Sequence, residues 1–391
     1  MHANVRPLTL ALALVLGITP RAQDPAVVAP PRRITPEALA RVRALLDEAI
    51  TARGIPGGVA AFAFREGEIS TVAVGHVDRE RKTPITAEAW MLSGSIGKTY
   101  LGLVAARLAA AGEIDLDAKL VETLPEVEWF ARLPNHESLT LRQLLRHESG
   151  LADHVHSEAF QKALLADPER SWSAEELLGY AHEGKALFPA GTRWAYADTN
   201  HVVAGLAIET LVKRSWDELL RTLVLEPLEL RETKPSASRV LPGLVQGHAS
   251  GLILHRGPVL DEDGRYFVNP DFEDRGGGLY CTTRDLARFC RALFCSPAID
   301  ERTRALMSDG VATRSRVCER YGLGLMIDPS PHGPRLGHAG FMPGYLSRMS
   351  WYPEPGLVVA IQFDTDDLRA LGASLETWTD RIAAALTATG D

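Results

Sequence analysis

Ser95-Ile96-Gly97-Lys98 places a hydroxyl and an amine three residues apart. On a helix, positions i and i+3 share a face with their side chains about 5–6 Å apart. Gly94 permits a tight turn into such a helix. A serine at the helix start meets free backbone N–H groups and the positive end of the dipole, both of which favour an oxyanion. A partly desolvated lysine beside it has a lowered pKa and can take the hydroxyl proton. By itself the pattern reads equally as a polar helix start.

Two further segments carry candidate chemistry. Tyr196-Ala197-Asp198 follows a turn at Phe188-Pro189-Ala190-Gly191-Thr192, and its phenol can relay a proton if an ammonium lies near. His338-Ala339-Gly340 precedes Phe341-Met342-Pro343-Gly344. Small residues there let a backbone come close, and an edge strand would offer free N–H groups, with Phe341 as an oxyanion donor. Taken singly, a buried tyrosine with a satisfied hydroxyl and an incidental turn histidine are the commoner readings.

Together, Ser95-x-x-Lys98, Tyr196-x-Asp198 and His338-x-Gly340, in that order and about 100 and 140 residues apart, resemble the serine beta-lactamase-related family. That family includes class C beta-lactamases, D-alanyl-D-alanine carboxypeptidases and related esterases. Leu141 to Leu151 (LRQLLRHESGL) and Gly276 to Phe289 resemble further family segments, and the likeness spans about residues 35–385. It implies an α+β fold: an antiparallel sheet flanked by helices, built from N- and C-terminal segments, with an inserted all-helical domain. It implies that Ser95 attacks a carbonyl to form an acyl-enzyme, that Lys98 and Tyr196 share the proton work, and that the N–H groups of Ser95 and Phe341 form the oxyanion hole. His338 matches a third-motif position that is lysine in the lactamases and histidine in some carboxypeptidases and esterases, which places it with the catalytic residues, and Gly340 closes that motif.

The departures bear on substrate. Ala339 and Phe341 carry no hydroxyl where family members that grip a carboxylate often have Thr or Ser. Asp198 stands where Asn is usual; ionised, it cannot donate to a substrate amide, and it is placed to pair with Lys98 and keep that amine protonated. Asn200 is the expected substitute donor. The reading is a serine hydrolase acting on a neutral ester or amide. The alternatives are a catalytically silent binding or sensor module on the same fold, and a true beta-lactamase.

The elements that must position these groups follow from apolar periodicity. A helix is expected from Thr35-Pro36 to about Arg53, then strands at Val59–Phe64 and Ile69–Val74 joined at Arg65-Glu66-Gly67. Helices follow at Ser95–Ala111, Leu141–Arg146, Ser173–Tyr180, Val202–Val212, Asp217–Leu225 and Thr283–Leu293. Strands return at Leu323–Ile327, Tyr345–Tyr352 and Leu357–Phe363, before a last helix from about Leu368 to Leu386. The simplest assembly joins both strand sets in one sheet. Residues 35–92 and 310–391 then form the sheet domain and 93–309 the helical one.

With 391 residues, 46% hydrophobic and 24% charged, the chain has ordinary globular composition, which excludes a disordered, collagen-like or polytopic membrane chain. A net charge of -8 leaves no basic surplus for nucleic acid; the expected partner is a small-molecule or peptide substrate. Arg6 followed by the apolar run Leu8 to Ile18, too short for a bilayer, reads as a signal peptide over residues 1–23, and residues 24–34 as a Pro-rich lead-in. The expected location is periplasmic or secreted, with no membrane span once the signal is removed. Cys281, Cys290, Cys295 and Cys318 contain no C-x-x-C; disulfides and buried thiols both fit. No cofactor or metal is expected, and His154 and His156 read as solvated loop residues.

Overall fold

The computed structural model describes residues 32–388, except 79–81, 125–126 and 182–184. The expected signal peptide at 1–23 and most of the lead-in at 24–34 lie outside these residues.

The two expected strand sets do join. Numbered in chain order, the main sheet contains β1 (Gly57–Phe64), β2 (Ser70–Asp78), β3 (Thr83–Pro84), β4 (Val311–Ala312), β5 (Arg320–Tyr321), β6 (Met326–Ser330), β7 (Gly333–Met342), β8 (Tyr345–Tyr352) and β9 (Leu357–Phe363). Their order is β3-β2-β1-β9-β8-β7-β6-β5-β4, antiparallel throughout. The central pairing sets Gly58 opposite Phe363 and Phe64 opposite Leu357. Every residue of β1, β8 and β9 is buried, as a sheet covered on both faces requires.

One face packs under α1 (Pro36–Arg53) and the C-terminal helix Leu375–Thr387, with Val42, Leu46, Trp378 and Ile382 against Phe62, Val359 and Ile361. The other face meets the helical region, whose core runs through α2 (Gly97–Ala111), α3 (Leu141–Leu145) and α4 (Thr199–Val212). The helix α5 (Thr283–Cys295), assigned by the expected boundary to the helical part, packs directly on β1, β8 and β9.

Three expectations are corrected. The strand expected at Leu323–Ile327 begins at Met326, because Gly322 and Gly324 form a turn and Gly324 is left-handed with φ 63°. The terminal helix is two: Leu368–Leu371 ends at left-handed Gly372, and the Ser374 side chain caps a new start by accepting the Thr377 N–H. β7 is an interior strand as far as Gly337, where β6 stops pairing with it; only from His338 onward is its outer side open.

That opening admits the first motif. Trp90–Leu92 pairs with Leu279–Thr282 in a small three-stranded sheet, and the chain then turns through Ser93-Gly94 against β7. Gly94 has φ 52°, and a Cβ there would lie 2.5 Å from the Phe341 carbonyl oxygen. A Cβ on Gly340 would lie 1.9 Å from the Ser93 oxygen. Both glycines are required by one contact, the close approach of two backbones.

All four cysteines are free thiols: Cys281, Cys290 and Cys318 are buried and Cys295 is half-buried. Among the described residues no helix is long and apolar enough to cross a membrane.

Candidate active site

Ser95 lies in a single 3₁₀ turn (Gly94–Ile96) at the entrance to α2, and Lys98 is the second residue of that helix. Lys98 Nζ is 3.0 Å from Ser95 Oγ, on the shared face that their spacing requires. The same nitrogen donates to the Gly276 carbonyl at 2.9 Å and pairs with Asp198. Three acceptors meet three ammonium protons, so Lys98 has no free N–H and no lone pair. Its side chain has no solvent exposure. Burial works to strip its proton, but Asp198, with Glu273 and Tyr321, outweighs burial and holds the ammonium above the ordinary lysine range.

Tyr196 and Asp198 arrive from the segment leading into α4, for which Asp198 is the cap position. The Tyr196 ring centroid is 5.1 Å from Lys98 Nζ. Burial, then the Asp198 charge, raises its phenol well above the usual range, against a hydrogen bond with the Ser95 side chain. Tyr196 is therefore a neutral phenol at ordinary pH. Burial also pushes Asp198 upward, but Lys98 prevails and the carboxylate stays ionised. Ser95, Tyr196 and Asp198 are each half-buried, so the cluster keeps a face towards solvent.

Phe341 and Gly340 stand on the open half of β7, with the Phe341 N and O beside Gly94. The Ala339 and Phe341 side chains pack on the opposite face, under the C-terminal helix. His338 is on the site face but reaches neither Ser95 nor Lys98. Its Nδ1 faces the Ala339 carbonyl, which fixes the proton there, and its Nε2 accepts from the Tyr321 hydroxyl at 2.8 Å. Burial, then the charge of Lys98, takes its pKa down to about 3. The third motif therefore contributes a neutral imidazole.

Asn200 does not take the substitute-donor place expected for it. It is fully buried, its Oδ1 accepts from Ser149 and its Nδ2 faces His147 Nδ1 at 3.1 Å. His154 is also buried rather than solvated, its backbone N–H donating to Thr199 Oγ1 at 2.9 Å, whereas His156 is exposed.

Four residues beside the motifs had drawn no expectation. Tyr321 anchors His338. His147 contacts the Tyr196 ring at 4.3 Å between centroids. Asp153 accepts the Asp198 N–H at 3.2 Å; burial, then Asp198, pushes its carboxyl up to about 7 against the pull of Lys98. Glu273 is pushed up to about 8 by burial and then Asp198, again opposed by Lys98. One cation therefore faces three carboxyls. The only sequence signal for His147 was its place inside the stretch Leu141 to Leu151; Glu273, in Asp-Phe-Glu-Asp-Arg, reads as part of a solvated charge run.

A model of the Beta-lactamase family matches residues 42–380. The chain is 24% identical over 290 residues to a penicillin-binding protein of Bacillus subtilis (strain 168), covering 71% of this chain and 61% of that protein. It is 25% identical over 356 residues to Esterase EstB of Burkholderia gladioli, covering 82% of this chain and 88% of the esterase. Among solved structures, a D-stereospecific amidohydrolase from Streptomyces sp. superposes with a TM-score of 0.74 and 27% identity, covering 89% of this chain and 98% of that one.

Proposed function

The chain belongs to the beta-lactamase family, and on that premise we propose a serine hydrolase that acylates Ser95 with an ester or amide substrate. The carrying observation is the half-buried Ser95 hydroxyl 3.0 Å from a lysine whose other two protons are committed to Asp198 and Gly276.

An ammonium with three acceptors cannot be the first base. A neutral phenol can pass a proton on as it receives one. Tyr196 takes the Ser95 proton and gives its own to the leaving-group heteroatom, while the Ser95 Oγ–carbonyl bond forms and the leaving group departs. The fixed charge of Lys98 stabilises negative charge on either oxygen during the transfer. Water then follows the same route in reverse to release the acid.

The inferred substrate has no free carboxylate beside the scissile bond. The neutral His338 supports this, because an uncharged imidazole offers a desolvated carboxylate no ion pair. The esterase and amidohydrolase relatives support the same class. The Lys98–Asp198 pair also favours a second reading, a silent binding module in which no group takes the Ser95 proton.

The test is labelling of Ser95 by a fluorophosphonate probe together with turnover of short-chain p-nitrophenyl esters, both expected to vanish in Ser95→Ala. Turnover that survives in Ser95→Ala removes the hydrolase reading; absence of turnover and labelling in the wild type establishes the silent one. We further propose export, supported by the Arg6 and Leu8–Ile18 pattern. N-terminal sequencing of the protein from a periplasmic fraction tests it, and a cytosolic chain that retains residues 1–23 contradicts it.

A further inference from the structure

His147 follows α3 with a left-handed backbone, φ 62°. Few side chains adopt that conformation, histidine and asparagine among them. The residue is fully buried. The backbone beneath it is tied to the second motif, since the Ala195 N–H donates to the His147 carbonyl at 3.0 Å.

The proton positions around its ring are determined by a chain of donors. The Leu151 N–H donates to Ser149 Oγ at 3.0 Å, so the Ser149 proton goes to Asn200 Oδ1. That orients the Asn200 amide with its nitrogen towards His147 Nδ1, at 3.1 Å. The Ala197 N–H points at the same nitrogen from 3.3 Å. Two donors converge on one lone pair, so Nδ1 carries no proton and the imidazole is the neutral Nε2–H form. Nε2 has no hydrogen-bond partner among the described residues. The ring lies 4.3 Å from that of Tyr196 and 4.7 Å from that of Tyr321.

We propose that His147 is a positioning residue for the acyl transfer, holding Tyr196-Ala197-Asp198 through Nδ1 and backing the Tyr196 phenol with its ring. The inference rests on the hydrolase function proposed above. Ala197 lies between the proton-relaying phenol and the carboxylate that charges Lys98, so one acceptor aligns both.

The test compares His147→Ala with His147→Asn. Asparagine tolerates the left-handed backbone and places Oδ1 near the lost Nδ1. His147→Ala should lower kcat on a short-chain p-nitrophenyl ester about 10²-fold, the scale of a small misplacement, with KM little changed. His147→Asn should recover kcat to within about tenfold of wild type, while its melting temperature stays as low as that of the alanine variant, because both lose the ring. Recovery of kcat without recovery of stability marks the positioning role. Overturning results are kcat that tracks melting temperature in both variants, or wild-type kcat in both. If the alanine variant does not fold, His147→Gln, whose longer side chain misplaces the acceptor, takes its place with the same two outcomes. Loss of turnover in Ser95→Ala alongside normal turnover in the His147 variants sinks only this inference. Turnover that persists in Ser95→Ala sinks the function on which it rests.

Discussion

The two faces of β7 carry buried charge in different proportion. On the site face, Lys98 is, among the described residues, the one cation that Asp198, Asp153 and Glu273 share. On the other, Arg335 and Arg348 meet Asp328, Glu376 and Asp380 beneath the C-terminal helix. There Arg335 Nη1 reaches both Asp380 oxygens at 2.8 Å, and the Tyr352 hydroxyl adds a bond at 2.7 Å. Asp328 lies 3.7 Å from Arg335 and 3.8 Å from Arg348. Although burial pushes Glu376 upward, Arg348 outweighs it and the carboxyl sits below its ordinary range. On the site face burial wins instead, and Asp153 and Glu273 hold protons to about 7 and 8. Each acid under the helix has a guanidinium, so that network serves the fold. A surplus of carboxyls around one amine is unfavourable for folding, and such imbalance concentrates where chemistry is done.

Removing the lone cation is the hardest blow to the comparison. Lys98→Met should cut ester turnover roughly 10²–10³-fold, the range for loss of one electrostatic stabiliser of the transition state. It should also destabilise the fold, since breaking a buried pair costs about 3–5 kcal/mol. Because Asp153 and Glu273 can stay protonated at pH 6, the loss should be smaller there than at pH 9. Denaturation at both pH values checks it, and an equal loss would mean the carboxyls are not balanced by Lys98.

Arg348→Met probes the other face. The expected cost is about 3 kcal/mol, the low end for a broken buried pair, because Glu376 is 31% exposed and water can take over part of its solvation. Turnover per folded molecule should be unchanged. A drop in kcat beyond that explained by unfolding would show that the two faces are coupled through β7.

Asp198→Asn sharpens the contrast by making the site more like the usual family pattern. The amide removes the strongest support for the ammonium, so the Lys98 pKa falls and neutral amine appears at lower pH. Because Lys98 acts through its fixed charge, the alkaline-falling limb of kcat/KM should move to lower pH. A limb that stays in place would mean that Lys98 does not titrate in the reaction.

Much of this was legible in the residue order. The apolar run Leu357–Phe363 located β9 to the residue, because a strand buried on both faces leaves no ambiguity of side, and β8 was legible to the residue although Ser347, Arg348 and Ser350 interrupt it. Ser95, Lys98 and Asp198 meet as their spacing and chemistry required. The acids that set the electrostatics were not legible. Glu273 and Asp153 become buried only when distant segments fold over α2, and no local pattern distinguishes them from solvated acids. Asn200 misled for the same reason. Two residues from Asp198 it looks available, yet the helical turn directs it away from the cleft and into the contact with Ser149 and His147. The inert state of His338, placed with the catalytic residues by its motif, was not legible either, because its Nε2 is occupied by Tyr321, seventeen positions away in the chain.

The smallest expected effect separates the faces most cleanly, because neutralising one acid on each should move stability in opposite directions. Glu273 ordinarily titrates near 4.5 and is raised in the fold to about 8. Between those values the folded protein keeps a proton that the unfolded chain has lost, so this carboxyl withdraws stability as pH rises through that window. Glu273→Gln keeps the neutral form at every pH. The melting temperature of the variant should therefore fall less than that of the wild type between pH 5 and 9. Above pH 8 it should lie a few degrees higher, as about 1 kcal/mol shifts a chain of this size by only 2–4 °C or less. Asp153, raised in the same sense, keeps some of the slope in place. Glu376→Gln should do the reverse: a carboxyl held low contributes stability above its ordinary range, and removing its charge beside Arg348 should lower the melting temperature throughout neutral pH. If both glutamine variants shift in the same direction, the faces do not differ in charge balance, and the surplus of carboxyls around Lys98 is no mark of function.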